Sequence, residues 1–363
     1  MEWHKSVRPL LLTALLASAC GSPAQKEPTP KPIEAGPAGS GKSAALPAGA
    51  KAMQAADVSS LMTVARRELP APSPGEYRVS GEQRFNGWFL SAEKVVFEAD
   101  AKLVFTQAAI RSRANLFVLA KEITSLDQQK PGQIAWETPA PVGAPGQAGS
   151  AATGANHNQT EGVPGGRGSD GLPGAAGARG DDAPSLTLIT LAFRNPLFVN
   201  LVGTIGGLGA QGQHGGQGGT GGFGNSASQN AFNCNRGAGN GAPGGQGGNG
   251  GNGGTGGTGG NGGTFTLIVP NDQTGMASRL LKVDLSAGDG GSGGNGGNPG
   301  AGGPGGAGGA QQLPYCRGEG GSGATGSAGQ AGARGDSGGK GRVGDYFVGN
   351  ITPAVFDEFA GKR

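Results

Sequence analysis

The sequence predicts a mainly β repeat fold: a small β-helix-like or β-sheet framework, three long glycine-rich excursions, and one short N-terminal helix. Three observations carry this reading. Glycine accounts for 79 of 363 residues, and almost all of it lies beyond residue 140. Three stretches in that half share one layout, namely a strand, a short polar connection, a second strand, then glycine. They are NLFVLAKEITSLDQQKPGQIAWETPAPVGAPG, SLTLITLAFRNPLFVNLVGTIGGLGAQG and TFTLIVPNDQTGMASRLLKVDLSAGDGGSG. Inside each excursion glycine recurs with period three.

Residues 1–19 have the layout of an export signal. Lys5 and Arg8 precede LLLTALLASA, an apolar run too short to span a bilayer as a mature helix. The run ends at Cys20, and LLASACGS resembles the lipobox of bacterial lipoproteins, in which the cysteine is acylated and becomes the mature N-terminus. Ala17 stands where leucine is usual, with Leu16 beside it. The resemblance implies a lipid on Cys20 and a place in the bacterial outer membrane or on the cell surface. The alternative is an ordinary signal cleaved after Ala19 and a secreted product.

Residues 20–50 are rich in proline, alanine and glycine and read as a disordered tether. Within them GPAGSGKS, Gly36 to Ser43, fits the phosphate-binding pattern GxxxxGK[ST]. A P-loop needs a buried strand before the glycine turn and a helix after it. Pro28, Pro30 and Pro32 remove the donors of such a strand, and Pro47 falls in the second turn of such a helix. No nucleotide binding is expected.

Residues 51–136 read as a helix followed by strands. In KAMQAADVSSLMTVARREL, Val58, Leu61, Met62, Ala65 and Leu69 share one helical face. The apolar clusters VVF, LVF and LFVL then follow at the spacing of successive strands. Residues 137–345 hold the glycine repeats with strands interleaved, and residues 346–363 read as a C-terminal cap.

The excursions divide into arms and tips. Outgoing arms keep glycine in register from Gly203 to Gly224 and from Gly288 to Gly309; return arms do so from Gly162 to Gly180, Gly244 to Thr264 and Gly320 to Gly344. The first outgoing arm, Gly143 to Gly149, keeps it poorly. Period three is that of polyproline II, which has no hydrogen bonds of its own, so an arm needs neighbours. GVPGGRGSDGLPGAAGARGD is collagen-like, which makes a trimeric stalk the alternative, but GGNGGNGGTGGTGGNGG lacks the proline that holds a collagen chain. Across roughly residues 143–344 the sequence resembles polyglycine-II bundles, as in an insect antifreeze protein and the glycine-rich tips of phage receptor-binding adhesins. The resemblance implies a six-arm polyglycine-II bundle, with glycine inward and N–H···O and Cα–H···O bonds joining the arms. A GGx arm offers two smooth faces, so Gly244 to Thr264 and Gly290 to Gly309 are expected inside and the other return arms nearer the edge.

Chemistry is sparse. His4 belongs to the signal, and His157 and His214 lack a neighbouring Cys or Glu at ligand spacing, so no metal or cofactor is expected. HExxH and CxxC do not occur, which points away from an enzyme. Removing Lys5, Arg8 and Glu2 with the signal lowers the net charge by one from +3, and nothing calls for nucleic acid. RGD occurs at Arg179 to Asp181 and Arg334 to Asp336, where Arg and Asp are outward fillers around an obligatory glycine. Cys234 and Cys316 occupy corresponding places in the second and third tips, and an exported protein is free to join them. Asn249, Asn252, Thr255, Thr258, Asn261 and Thr264 recur once per turn along one arm and form a candidate binding face. The expected function is a non-enzymatic, lipid-anchored surface protein. It would act as a rigid spacer or adhesive module toward polysaccharide, matrix or another cell, the alternative being an ice- or surface-ordering binder that uses the Asn/Thr row.

Overall fold

The computed structural model describes residues 46–138, 162–354 and 358–359. The export signal, Cys20, the GPAGSGKS octamer, His157 and the arm Gly143 to Gly149 lie outside them. The described chain is mainly β, with parallel sheets and three α-helices. In order it forms β1 (Ala50–Ala52), α1 (Ala55–Glu68), β2 (Ser73–Val79), β3 (Glu82–Phe85), β4 (Phe89–Phe97), β5 (Lys102–Phe105) and α2 (Gln107–Ser112). There follow β6 (Asn115–Ser125), β7 (Gly132–Trp136), β8 (Ser185–Arg194), β9 (Leu197–Asn200), the hairpin strands β10 (Ser228–Gln229) and β11 (Cys234–Arg236), β12 (Phe265–Pro270), α3 (Thr274–Leu280), β13 (Leu281–Asp284) and β14 (Tyr346–Ile351).

Two sheets make the framework. One has seven strands in the order β1-β14-β12-β8-β6-β4-β2, the other five in the order β13-β9-β7-β5-β3, and their pairings are parallel. The chain crosses from one sheet to the other at each step from β2 to β3, β4 to β5, β6 to β7, β8 to β9 and β12 to β13, and so coils as it advances. Leu103, Ile134 and Val199 from the five-stranded sheet join Leu116, Val118, Leu188, Leu267 and Val348 from the seven-stranded one in a single buried core. Burial on both faces explains why β12, FTLIVP, is apolar at every position but Thr266 rather than alternating.

The outer face of the seven-stranded sheet is covered by α1. Val58, Met62 and Ala65, three of the residues the helical periodicity places on one face, pack with Phe117, Leu119, Ile189 and Ile268. Gly349 on β14 makes that approach possible. A Cβ there would stand 2.6 Å from Val58 Cγ2 and 2.8 Å from Ile268 Cδ1.

Ala50, the last residue assigned to the tether, opens β1 and pairs with Tyr346. The C-terminal segment begins with β14, which lies between β1 and β12 in the sheet. Two short helices join the one expected: α2 has six residues and α3 seven, too short to display a helical period, and α3 follows a 3₁₀ turn after Pro270.

The glycine segments are continuations of strands. Segments 162–184, 239–264 and 320–344 run into β8, β12 and β14, and segments 201–225 and 285–309 leave β9 and β13. The spacing of partners in the sheet carries on into them. Leu186 N donates to Thr264 O at 2.8 Å, Gly180 N to Thr258 O at 2.8 Å, and so on to Gly165 N and Pro243 O at 3.0 Å. Beyond the β9–β13 pair, Gly203 N donates to Ser286 O at 3.0 Å and Ala227 N to Ala310 O at 2.9 Å. Beyond the β12–β14 pair, Gly262 N donates to Arg342 O at 2.9 Å and Gly244 N to Ala324 O at 2.9 Å.

Segment 239–264 has neighbours on four sides. Gly254 N donates to Ala210 O and Gly294 N donates to Gly254 O, each at 2.8 Å; Gly253 N donates to Ala333 O at 2.8 Å and Gly174 N to Asn252 O at 2.9 Å. Both glycines of its triplets are required. A Cβ on Gly253 would lie 2.0 Å from Gly294 O, and one on Gly254 would lie 2.0 Å from Ala175 O.

Candidate binding surfaces

The Asn/Thr row occupies the third position of each triplet in segment 239–264. Asn252, Thr255 and Thr258 are exposed, and Asn249, Asn261 and Thr264 are half-buried. The asparagines are engaged across to the next segment. Asn249 Oδ1 accepts from Gln330 N at 2.8 Å, Asn252 Oδ1 from Ala333 N at 2.9 Å, and Asn261 Oδ1 from Arg342 N at 2.8 Å. Asn240 repeats the contact one segment end away, accepting from Gly321 N at 2.8 Å. Four N–H groups of segment 320–344 without a backbone acceptor, those of Gly321, Gln330, Ala333 and Arg342, find one in these side chains, which satisfies donors that would otherwise stay unpaired. Three members of the proposed face are therefore cross-braces through their Oδ1 atoms, and Asn252, Thr255 and Thr258 are its exposed residues.

The other side of the same segment is braced by aspartates that the sequence reading passed over. Asp170 Oδ1 accepts from Asn249 N at 2.7 Å and Asp182 Oδ1 from Asn261 N at 2.6 Å. Arg167 and Arg179, three residues before each, hold the two carboxylates at 2.8 and 2.6 Å. The repeated Arg-Gly-x-Asp pattern in RGSD and RGDD was the available signal. It also reorients the first RGD, since Arg179 is paired with Asp182. The glycines of both RGD triplets face neighbouring carbonyls: a Cβ on Gly180 would lie 2.2 Å from Thr204 O, and one on Gly335 would lie 2.1 Å from Gly254 O. His214 is exposed and its Nδ1 accepts from Asn298 N at 2.7 Å, a further side-chain brace between segments. Among the described residues no group of three His, Cys, Asp or Glu side chains is placed to hold a metal ion.

At the end remote from the two large sheets, Cys234 and Cys316 form a disulfide with their Cα atoms 4.9 Å apart, as their matching places in the two tips led us to expect. The bond joins the β10–β11 hairpin to the turn at 312–316, where Gln312 and Cys316 exchange backbone hydrogen bonds. Gln229 ties the two together. Its N–H donates to Gln312 Oε1 at 3.0 Å and its Oε1 accepts from Tyr315 N at 3.0 Å. Asn230 Oδ1 shapes the hairpin turn by accepting from Phe232 N at 2.9 Å and Asn233 N at 2.7 Å. On this braced base Phe232 is 88% exposed, Leu313 60% and Tyr315 46%.

No family model and no curated protein matches the sequence. Among solved structures, the chain is similar to the nine polyproline type II helical bundle springtail antifreeze protein from Granisotoma rainieri. The match has 23% identity, covers 52% of this chain and 94% of that chain, and has a TM-score of 0.10.

Proposed function

We propose that this protein is a non-enzymatic, lipid-anchored surface protein whose glycine segments form a polyglycine-II bundle serving as a rigid spacer and adhesive module. The observation that supports it best is lateral bonding at every third residue, with glycine wherever a Cβ would strike a neighbouring carbonyl. A polyproline-II arm has no internal hydrogen bonds and rises about 3.1 Å per residue, so an arm the length of 201–224 reaches roughly 70 Å. Lateral partners from the same chain favour this reading over a collagen-like stalk, whose partners come from other chains.

The spacer reading gives each end a task. The described chain enters at β1, on the framework, which suits a tether from a lipidated Cys20. The arms then carry their tips away from the surface. The ice- or surface-ordering reading has less support, because Asn249, Asn252 and Asn261 are committed to neighbouring backbone.

Labelling with a palmitate analogue, with globomycin as inhibitor, tests the anchor, and attachment of expressing cells to surfaces coated with cells, matrix or polysaccharide tests the module. Label on the wild type, none on Cys20→Ala, and attachment that is lost when Cys20→Ala releases the protein are expected. An unlabelled product from cells that attach to nothing would overturn the proposal.

A further inference from the structure

The glycine-rich stretches 162–183, 201–264 and 285–344 contain only three aromatic residues, Phe223, Phe232 and Tyr315. All three are exposed, and all three lie at the end remote from the two large sheets. Phe223 is in the last triplets of its segment, where its carbonyl accepts from Gly162 N at 3.1 Å. Phe232 precedes Cys234 by two residues and Tyr315 precedes Cys316 by one. Arg236 follows Cys234 by two and Arg317 follows Cys316 by one, and both are exposed. One disulfide thus joins the two short segments that carry two aromatic rings and two guanidinium groups.

This placement is not what solubility or folding would select. Ser, Asn, Gln, Ala and Thr fill most outward positions along the arms, and an exposed Phe contributes nothing to a bundle held by backbone bonds. Tyr and Arg are the residues that concentrate binding energy at recognition surfaces. The base under them is fixed before any partner arrives, by the disulfide and by the Gln229 and Asn230 hydrogen bonds, which lowers the ordering cost of binding. Arg236 and Arg317 each spend one contact on a backbone carbonyl, of Ser226 and Pro314, leaving their other donors outward.

We propose that this distal end is the recognition surface of the protein and that its ligand is an acidic polysaccharide. The proposal rests on the adhesive reading above and names its partner. Among the described residues of the two joined tips, Arg236 and Arg317 outnumber the one carboxylate, Glu319, a balance that suits an anion. Arg suits carboxylate or sulfate because its planar fork donates two parallel bonds. The exposed rings of Phe232 and Tyr315 present flat faces of the size of a sugar ring, whose axial C–H groups stack on the electron-rich face.

The test uses the full chain carrying Cys20→Ala, with immobilised polygalacturonate as the probe and dextran as the neutral control. Saturable binding to polygalacturonate and none to dextran is expected, weakened by raised salt. Phe232→Ala with Tyr315→Ala, and separately Arg236→Gln with Arg317→Gln, should each weaken it roughly tenfold or more. Thr255→Ala with Thr258→Ala should leave it unchanged. All six positions are exposed, and equal thermal midpoints keep folding out of the comparison. Polygalacturonate binding indifferent to both distal variants, or no binding at all, overturns the proposal. Cell attachment by the anchored wild type separates the two readings: if it persists in the distal variants this surface is wrong and the adhesive module stands, and if the wild type never attaches the module itself falls.

Discussion

Leu186, the second residue of β8, donates its backbone N–H to the carbonyl of Thr264, the residue before β12, at 2.8 Å. Across this bond a β ladder becomes a ladder between glycine segments with no change in partner spacing. The continuity solves a problem inherent in the repeat. With glycine at every third residue, sliding one segment past another by a triplet returns glycine to glycine, so the interior of the arms specifies its own register weakly. The core behind β8, β12 and β14 specifies it at one end, and the Cys234–Cys316 bond holds the other.

Removing that bond should therefore act from the tip inward. The double variant Cys234→Ser, Cys316→Ser opens a loop of 82 residues in sequence separation. Chain-entropy arguments assign such a loop roughly 4 kcal/mol. Hydrogen exchange is expected to rise first at Gly224 and Gly309 while Gly203 and Gly262, next to the strands, stay protected. Uniform loss of protection along the arms would count against register being held from both ends.

The asparagine braces make a separable prediction. Asn252→Ala leaves Ala333 N without its 2.9 Å acceptor and should cost about 1 kcal/mol, within the range for a lost hydrogen bond. Thr255→Ala, one triplet on and exposed, should change stability by less than about 0.5 kcal/mol. Equal effects in chemical denaturation would remove the distinction between bracing and outward positions.

Acid should weaken the framework through Glu122. Burial raises the affinity of this carboxyl for a proton, but the hydrogen bonds and charges of Arg194 and Lys94, at 2.8 and 3.3 Å, together outweigh it and hold the group below the usual carboxylate range. A depressed folded value contributes stability that is present above the unfolded pKa and is lost as pH falls through the folded one. Glu122→Gln should lower stability at neutral pH and flatten its decline on acidification. Parallel stability curves for the two proteins would contradict this.

Tyr346 should behave in the opposite sense. It is 6% exposed against Phe265, its hydroxyl is buried with no hydrogen-bond partner among the described residues, and burial pushes the phenol well above its ordinary value. Tyr346→Phe removes the unpaired group and should raise stability by about 1 kcal/mol. Because the raised folded value makes the wild type lose stability as pH climbs past the unfolded pKa, the variant should also decline less in alkali. A lower midpoint for the variant would mean that the hydroxyl has a partner.

Much of this was legible because two periods are written into the chain. The strand pairs around NLFVLAKEI, SLTLITLAF and TFTLIV and the triplet glycines each repeat a physical unit, and Cys234 and Cys316 sit at equivalent points of that repeat. What escaped lacks a period. Ala50–Ala52 joins the sheet through backbone bonds to β14 that a three-residue Ala-Lys-Ala segment does not advertise. The bracing by Asn249 and Asp170 depends on which segments become neighbours, and the same Asn row read along one chain alone looks like a surface for a ligand. The distal aromatics were visible as letters, but only the disulfide joins the segment that carries Phe232 to the one that carries Tyr315.

Two adjacent glycines of segment 320–344 give the sharpest test of the packing. Gly338 faces inward: its N–H donates to Gly291 O at 2.8 Å, and a Cβ there would stand 1.9 Å from Gly257 O and 2.4 Å from Gly257 C. The obstacle is backbone on a segment with neighbours on four sides, so it cannot swing away as a side chain end would. Gly339, one residue on, has nothing within 4 Å of its Cβ position. Gly338→Ala should cost roughly 3 kcal/mol or more, the upper range for overpacking. Gly339→Ala should be neutral or stabilise by up to about 1 kcal/mol, because alanine narrows the unfolded ensemble without straining the folded one. Thermal melts of the two variants decide it, and comparable losses at both positions would mean that the segments are not in lateral contact through their glycines.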